Sequence, residues 1–175
     1  MEPSIEAIQH HATTLAGKRL PKDTLPELIA SKDILILHFL RHLGCMFCKG
    51  QVDELQRLKQ ENPRFPDIIF VHHDTPERGE AFFAHHYPGA MHISDPELEL
   101  YRLFGIRRLG GLQLLNPLMF LKGIWLGLKG YRNITKGHRH IMQLSGTFLF
   151  FRGKLAWSHR AKYAGDQPNF RKLAK

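Results

Sequence analysis

Residues 34–51 read ILILHFLRHLGCMFCKGQ, and they contain both cysteines of a 175-residue chain, Cys45 and Cys48. Ile34 to Leu40 is a compact apolar run, rich in branched and aromatic side chains. It lacks the strict alternation of a half-exposed strand, which predicts a central strand covered on both faces. Gly44 then breaks the run, and from Cys45 a helical spacing begins. Cys48, Val52, Leu55 and Leu58 share one face until Asn62-Pro63 ends the pattern. Both thiols therefore sit at a strand-to-helix junction, with Cys45 in the first turn and Cys48 one turn deeper.

A helix N-terminus presents unpaired backbone N–H groups and a partial positive charge, and both favour a thiolate over a thiol. A cysteine so placed can fall from a pKa of about 8.5 into the range of about 3.5–7.5. One helical turn also brings positions i and i+3 close enough to close a disulfide. These residues predict Cys45 as the attacking thiol and Cys48 as its resolving partner, with Arg41, His42 and Lys49 as nearby sources of positive potential. Two other readings fit the spacing: a pair of buried apolar cysteines, or half of a zinc site whose remaining ligands would be histidines.

Outward from the junction, a second buried strand is expected at Ile68–His72. A helix is expected from Pro76 to about His86, with Ala81, Phe82 and Phe83 turned inward. A short extended piece follows at Met91–Ser94, and Asp95-Pro96 opens a helix carrying Leu98, Tyr101, Leu103 and Phe104, which Gly105 ends. Ser4 to Ala16 predicts an amphipathic N-terminal helix stopped by Gly17, and residues 19–33 a connector broken by Pro21 and Pro26. Thr147–Phe151 and Lys154–His159 form a hairpin about Arg152-Gly153, and a last helix is expected over Pro168–Lys175. Residues 106–141, with many leucines interrupted by glycines, read as an insertion holding one or two short helices. The element order is that of an α/β, thioredoxin-like sandwich: one domain over 1–175 with a central mixed sheet, the CxxC at the start of the first core helix, and the insertion before the C-terminal hairpin.

The later segments carry a family resemblance. FLRHLGCMFC (39–48), ISDPELELYRLFGI (93–106), QLSGTFLFFRGKLAWSHR (143–160) and AGDQPNFRKL (164–173) together resemble, in order, the peroxiredoxin-like 2 group of the AhpC/TSA-like proteins. That resemblance implies a thioredoxin fold and thiol-dependent redox chemistry: an antioxidant, peroxidase-like or thiol-disulfide oxidoreductase, with one branch acting on a prostaglandin endoperoxide. It places the redox pair at Cys45 and Cys48 and adds Arg41 to the site. It also implies a peroxide or disulfide as substrate, an external thioredoxin- or glutathione-like reductant, and no metal or organic cofactor. The Pro-x-x-x-Thr/Ser-x-x-Cys spacing of typical peroxiredoxins is absent, since Arg41 and His42 stand four and three positions before Cys45.

Charge is unevenly spread. Residues 1–101 hold 10 Lys/Arg against 15 Asp/Glu, whereas residues 102–175 hold 15 Lys/Arg against Asp166 alone, for a total of +9. The split fits an anionic partner or a self-complementary homodimer. A basic stretch without a recognisable module does not predict nucleic-acid binding. The start of the chain has neither a basic nor an apolar leader region, and no apolar run reaches the ~18 residues of a membrane span; the expected location is the cytoplasm. Two alternatives to an enzyme are a binding module, which would use the basic C-terminal half on an anionic membrane surface or a protein partner, and a Cys/His metal-handling protein of the same fold.

Overall fold

The computed structural model of the chain describes residue 8 and residues 15–110, 117–134, 137 and 139–174. In chain order they form β1 (Ala16–Lys18), α1 (Leu25–Ala30), β2 (Ile34–Phe39), α2 (Met46–Glu61), β3 (Asp67–His72), α3 (Pro76–His86), β4 (Met91–Ser94), α4 (Glu99–Leu103), α5 (Pro117–Leu128), β5 (Gly146–Phe151), β6 (Lys154–Arg160) and a 3-10 turn at Phe170–Ala174. The six strands make one mixed sheet in the order β1-β4-β3-β2-β5-β6. β2, β3 and β4 run parallel, as βαβ crossovers through α2 and α3 require, while β5 and β6 return antiparallel on the other side of β2.

β2 lies inside the sheet and is covered on both faces, which is why its sequence is apolar without alternation. Leu35, Leu37 and Phe39 enter a core shared with Leu25, Leu28 and Ile29 of α1 and with Tyr101 and Phe104 around α4. Ile36 and Leu40 face the opposite core, where Cys48, Val52, Leu55 and Leu58 of α2 meet Phe70, Phe83 and Phe170. Burying one such aliphatic side chain stabilises the fold by about 1.5–3 kcal/mol.

Local chemistry sets the element ends. Thr75 accepts from the Arg78 backbone N–H at the start of α3. The Asp95 carboxylate accepts from the amides of Glu99, Leu100 and Tyr101, which starts α4. At the hairpin tip Arg152 and Gly153 both have positive φ, 48° and 77°, so the two-residue turn matches the twist of its strands.

Several expectations change. The N-terminal helix lies largely outside the described residues; Ile8 is helical and buried, but Ala16 and Gly17 belong to β1, paired antiparallel with Ser94 and Ile93. Gly17 is needed for close approach rather than as a helix stop: a methyl group there would fall 2.2 Å from the His92 carbonyl oxygen. The connector 19–33 contains α1, started at Pro26 and held by its three buried residues. Ala81 is exposed and Phe82 half-buried, so of the three residues expected inward only Phe83 is fully turned to the core, joined there by Gly79. The closing helix is a 3-10 turn over five residues, anchored by Phe170.

Candidate active site

Cys45 has an extended backbone (φ −75°, ψ 123°) and occupies the N-cap of α2. Its carbonyl accepts from Lys49 N at 3.0 Å, the first helical bond, while its own N–H donates to His42 O at 3.0 Å. The sulfur thus sits where the sequence puts it, at the opening of the helix. The side chain closes no regular capping bond, yet the amides of Cys48 and Phe47 face it and favour its ionised form. Both cysteines are free and fully buried.

Arg41 joins the two thiols. Its backbone N–H donates to Cys48 Sγ at 3.2 Å, and its Nη1 donates to Cys45 Sγ at 3.4 Å. The rest of the guanidinium is fixed by two carbonyls, Nε to Gln143 O and Nη2 to Ile141 O, each at 3.0 Å. Among the described residues no carboxylate is paired with Arg41, so its buried charge is directed at sulfur. The backbone beneath is pinned as well: His73 Nε2 bonds the Arg41 carbonyl, and the Tyr101 hydroxyl donates to the carbonyls of Leu40 and Val71 at the ends of β2 and β3.

These contacts separate the two thiols electrically. Burial pushes the Cys45 thiol up, but the hydrogen bond from Cys48, the Arg41 guanidinium and the backbone amides outweigh it and bring the pKa down to about 6. Burial, together with the adjacent Cys45 sulfur, drives Cys48 well above its ordinary value. One sulfur is poised as an anion and the other as the proton donor beside it.

Of the other charges named from sequence, Lys49 turns away and donates to Arg132 O at 3.1 Å, while His42 is buried. The adjacent histidines His72 and His73, at the end of β3, point to different faces. His72 Nε2 meets His92 Nδ1 at 2.9 Å under α3, whereas His73 faces Arg41. Burial lowers the pKa of His72 to about 3 and also lowers that of His92, so both stay neutral. Gly79 allows this packing, because a methyl group there would lie 2.3 Å from His72 Nε2. Among the described residues no three His, Cys, Asp or Glu side chains group as metal ligands.

Tyr101, His73 and Gln143 were not legible as site residues. Tyr101 reads as one more core aromatic, and Gln143 lies about a hundred positions from the thiols. The cover is equally non-local: Ile134 N donates to Gly44 O at 2.8 Å, and Phe47 packs beneath Gly123 of α5 and against Gly165. Gly165 has φ +83°, and a Cβ there would collide with the Phe47 ring. Beside Arg41 and Phe47 a cavity of about 470 Å³ opens between Leu109, Met119, Ile124 and Ala164. Described parts of the insertion, Gly123 and Ile134 among them, therefore pack beside the thiol site.

The profile of the AhpC/TSA antioxidant enzyme family matches residues 52–163, more than half of the chain. The chain belongs to the AhpC/TSA antioxidant enzyme family. The matched stretch begins four residues after Cys48, so it rests on the scaffold and not on the thiols. Solved structures agree on the thioredoxin-like, peroxiredoxin-type fold. Peroxiredoxin Q of Xanthomonas campestris is 18% identical, with 87% of this chain and 82% of that one covered at a TM-score of 0.58. A Chlorobium tepidum protein described as a thiol:disulfide interchange protein DsbE is 14% identical over 91% of this chain and 88% of that one, at a TM-score of 0.56. A peroxiredoxin-like protein from Aquifex aeolicus is 13% identical over 82% and 70%, at a TM-score of 0.51. No curated protein matches the chain significantly.

Proposed function

We propose that this AhpC/TSA family member is a thiol-dependent oxidoreductase that reduces a peroxide through Cys45 and Cys48. The observation that carries the reading is the position of Arg41, with Nη1 at 3.4 Å from Cys45 Sγ and backbone N–H at 3.2 Å from Cys48 Sγ. The Cys45 thiolate attacks one oxygen of ROOH; the S–O bond forms, the O–O bond breaks, and RO⁻ leaves as ROH after taking a proton. Arg41 stabilises the negative charge as it passes from sulfur to the leaving oxygen. The resulting Cys45 sulfenic acid is attacked by Cys48, which loses its proton in that step; an S–S bond forms and water leaves. An external reductant, one dithiol of the thioredoxin class or two monothiols of the glutathione class, then reduces the disulfide by exchange and is itself left as a disulfide, a step that suits a reducing, cytoplasmic setting. A disulfide substrate would enter the same cycle, with a thiolate as the first leaving group. Because Cys45 is fully buried, turnover includes an opening of the packing around it, to which Phe47, Ile134, Ile141 and Gln143 contribute.

Peroxide treatment followed by alkylation and peptide mass spectrometry tests the reading. The expected product has lost two hydrogens at the Cys45–Cys48 peptide and takes no alkyl group, while Cys48→Ser accumulates sulfenic acid on Cys45. A pair that stays reduced under both peroxide and disulfide would overturn it.

A further inference from the structure

Outside the thiol site, α5 carries a large apolar surface that is unpartnered among the described residues. Its underside is anchored: Leu126 packs against α2 at Gly50, and Gly123 sits over Phe47. On the other side Phe120, Leu121, Ile124, Trp125 and Leu128 are 55–84% exposed. At 3.6 residues per turn these five span an arc of about 140°, and no polar side chain falls within it. Basic groups border the arc. Lys129 lies along the edge next to Trp125, its Nζ 3.5 Å above the indole ring, while half-buried Lys122 on the same side donates to Gly165 O at 2.8 Å. Exposed Arg108 and Arg132 adjoin Leu109 and Asn133, which share the cavity under α5 with Phe120 and Ile124. The nearby acids Asp53 and Glu54 lie in the cleft on the α2 side, where Asp53 already accepts from Tyr131 and His86.

We propose that α5 is a docking helix for an anionic phospholipid surface, lying in the interface plane with Trp125 and its leucine neighbours among the acyl chains and Lys129, Arg108 and Arg132 at headgroup level. An apolar arc bordered by Lys and Arg, with a Trp at its margin, is the chemistry that such an interface selects. A second copy of the chain fits less well. A two-fold contact would oppose the same patch to itself, and with it residues 102–175, which carry 15 Lys/Arg against one Asp. A negatively charged leaflet neutralises that field instead. The inference is independent of the redox reading, since none of the arc residues contacts a thiol.

Co-sedimentation of the full chain with vesicles of phosphatidylcholine, with and without phosphatidylserine, over a range of salt tests it. The wild type is expected to pellet with the anionic vesicles and to lose about tenfold in affinity on neutral vesicles or at high salt. Ile124→Glu and Leu121→Glu, both at exposed positions, should lose at least about tenfold with an unchanged circular dichroism spectrum. In a Trp157→Phe background, the emission of Trp125 should shift to the blue on binding. Equal binding to neutral and anionic vesicles, no binding at low salt, or full binding by Ile124→Glu would each overturn the proposal. An α5-dependent dimer without vesicle binding would overturn it in favour of a second copy.

Discussion

α2 and α5 are both rich in apolar residues, yet they end in opposite situations. α2 concentrates Cys48, Val52, Leu55 and Leu58 on one stripe and lays that stripe on the sheet. α5 has more bulky apolar side chains, spread around most of its circumference, but its contact with α2 covers little of them: Leu126 is buried, while Leu118, Phe120, Leu121, Ile124, Trp125 and Leu128 are exposed. Apolar content alone does not decide burial; the surface available to receive it does. The contrast separates roles too: α2 holds the thiols in a fixed field, and α5 packs beside their site.

The largest expected effect lies at the start of α2. Cys45→Ser should lower turnover with peroxide or disulfide by about 10³-fold or more, since no other thiolate stands in its field. Steady-state assays check this, and substantial residual turnover would move the nucleophile elsewhere. Next comes packing: Leu55→Ala should destabilise the chain by about 2–5 kcal/mol in denaturant titration. Leu128→Ala, at the exposed end of α5, should change stability by no more than about 0.5 kcal/mol. Equal losses at the two positions would erase the contrast.

Arg41→Met should raise the Cys45 pKa from about 6 and slow alkylation at neutral pH by about tenfold or more, because the thiolate fraction falls. Arg41→Lys should recover part of the charge effect but not the fork that holds Gln143 O and Ile141 O. Unchanged Cys45 reactivity in Arg41→Met would remove Arg41 from the site. A smaller effect is linked to pH. The folded-state pKa of Cys45 lies below its unfolded value, so its ionisation adds stability above the unfolded pKa, and that stability is lost as pH falls through about 6. Cys48 stays protonated across that window. Wild type minus Cys45→Ser, compared by denaturant melts at several pH values, should therefore show a stability difference that grows from about pH 6 into the alkaline range; a flat difference would mean that the thiol field is not built into the fold.

Much of the fold was legible because its signals are local. The apolar run at 34–40, the stripe on α2, the Pro76 start of α3 and the Arg152-Gly153 turn each specify their element without help from distant residues. α1 and β1 were not, since Leu25–Ala30 is held by tertiary burial and Gly17 by a neighbouring strand. The site divides in the same way. Cys45 and Cys48 were readable from spacing and Arg41 from the resemblance of the same eight residues, whereas Tyr101, His73, Gln143 and the packing of Phe47 on Gly165 come together only through the sheet.

The most direct test is a titration of thiolate ultraviolet absorbance, taken as wild type minus Cys45→Ser, which needs no reagent to reach the buried sulfur. Half of the Cys45 signal should appear near pH 6, with Cys48 silent until far higher pH. A single transition at the ordinary thiol value of about 8.5 would show that Arg41 and the start of α2 do not hold a thiolate, and the proposed chemistry would fall with it.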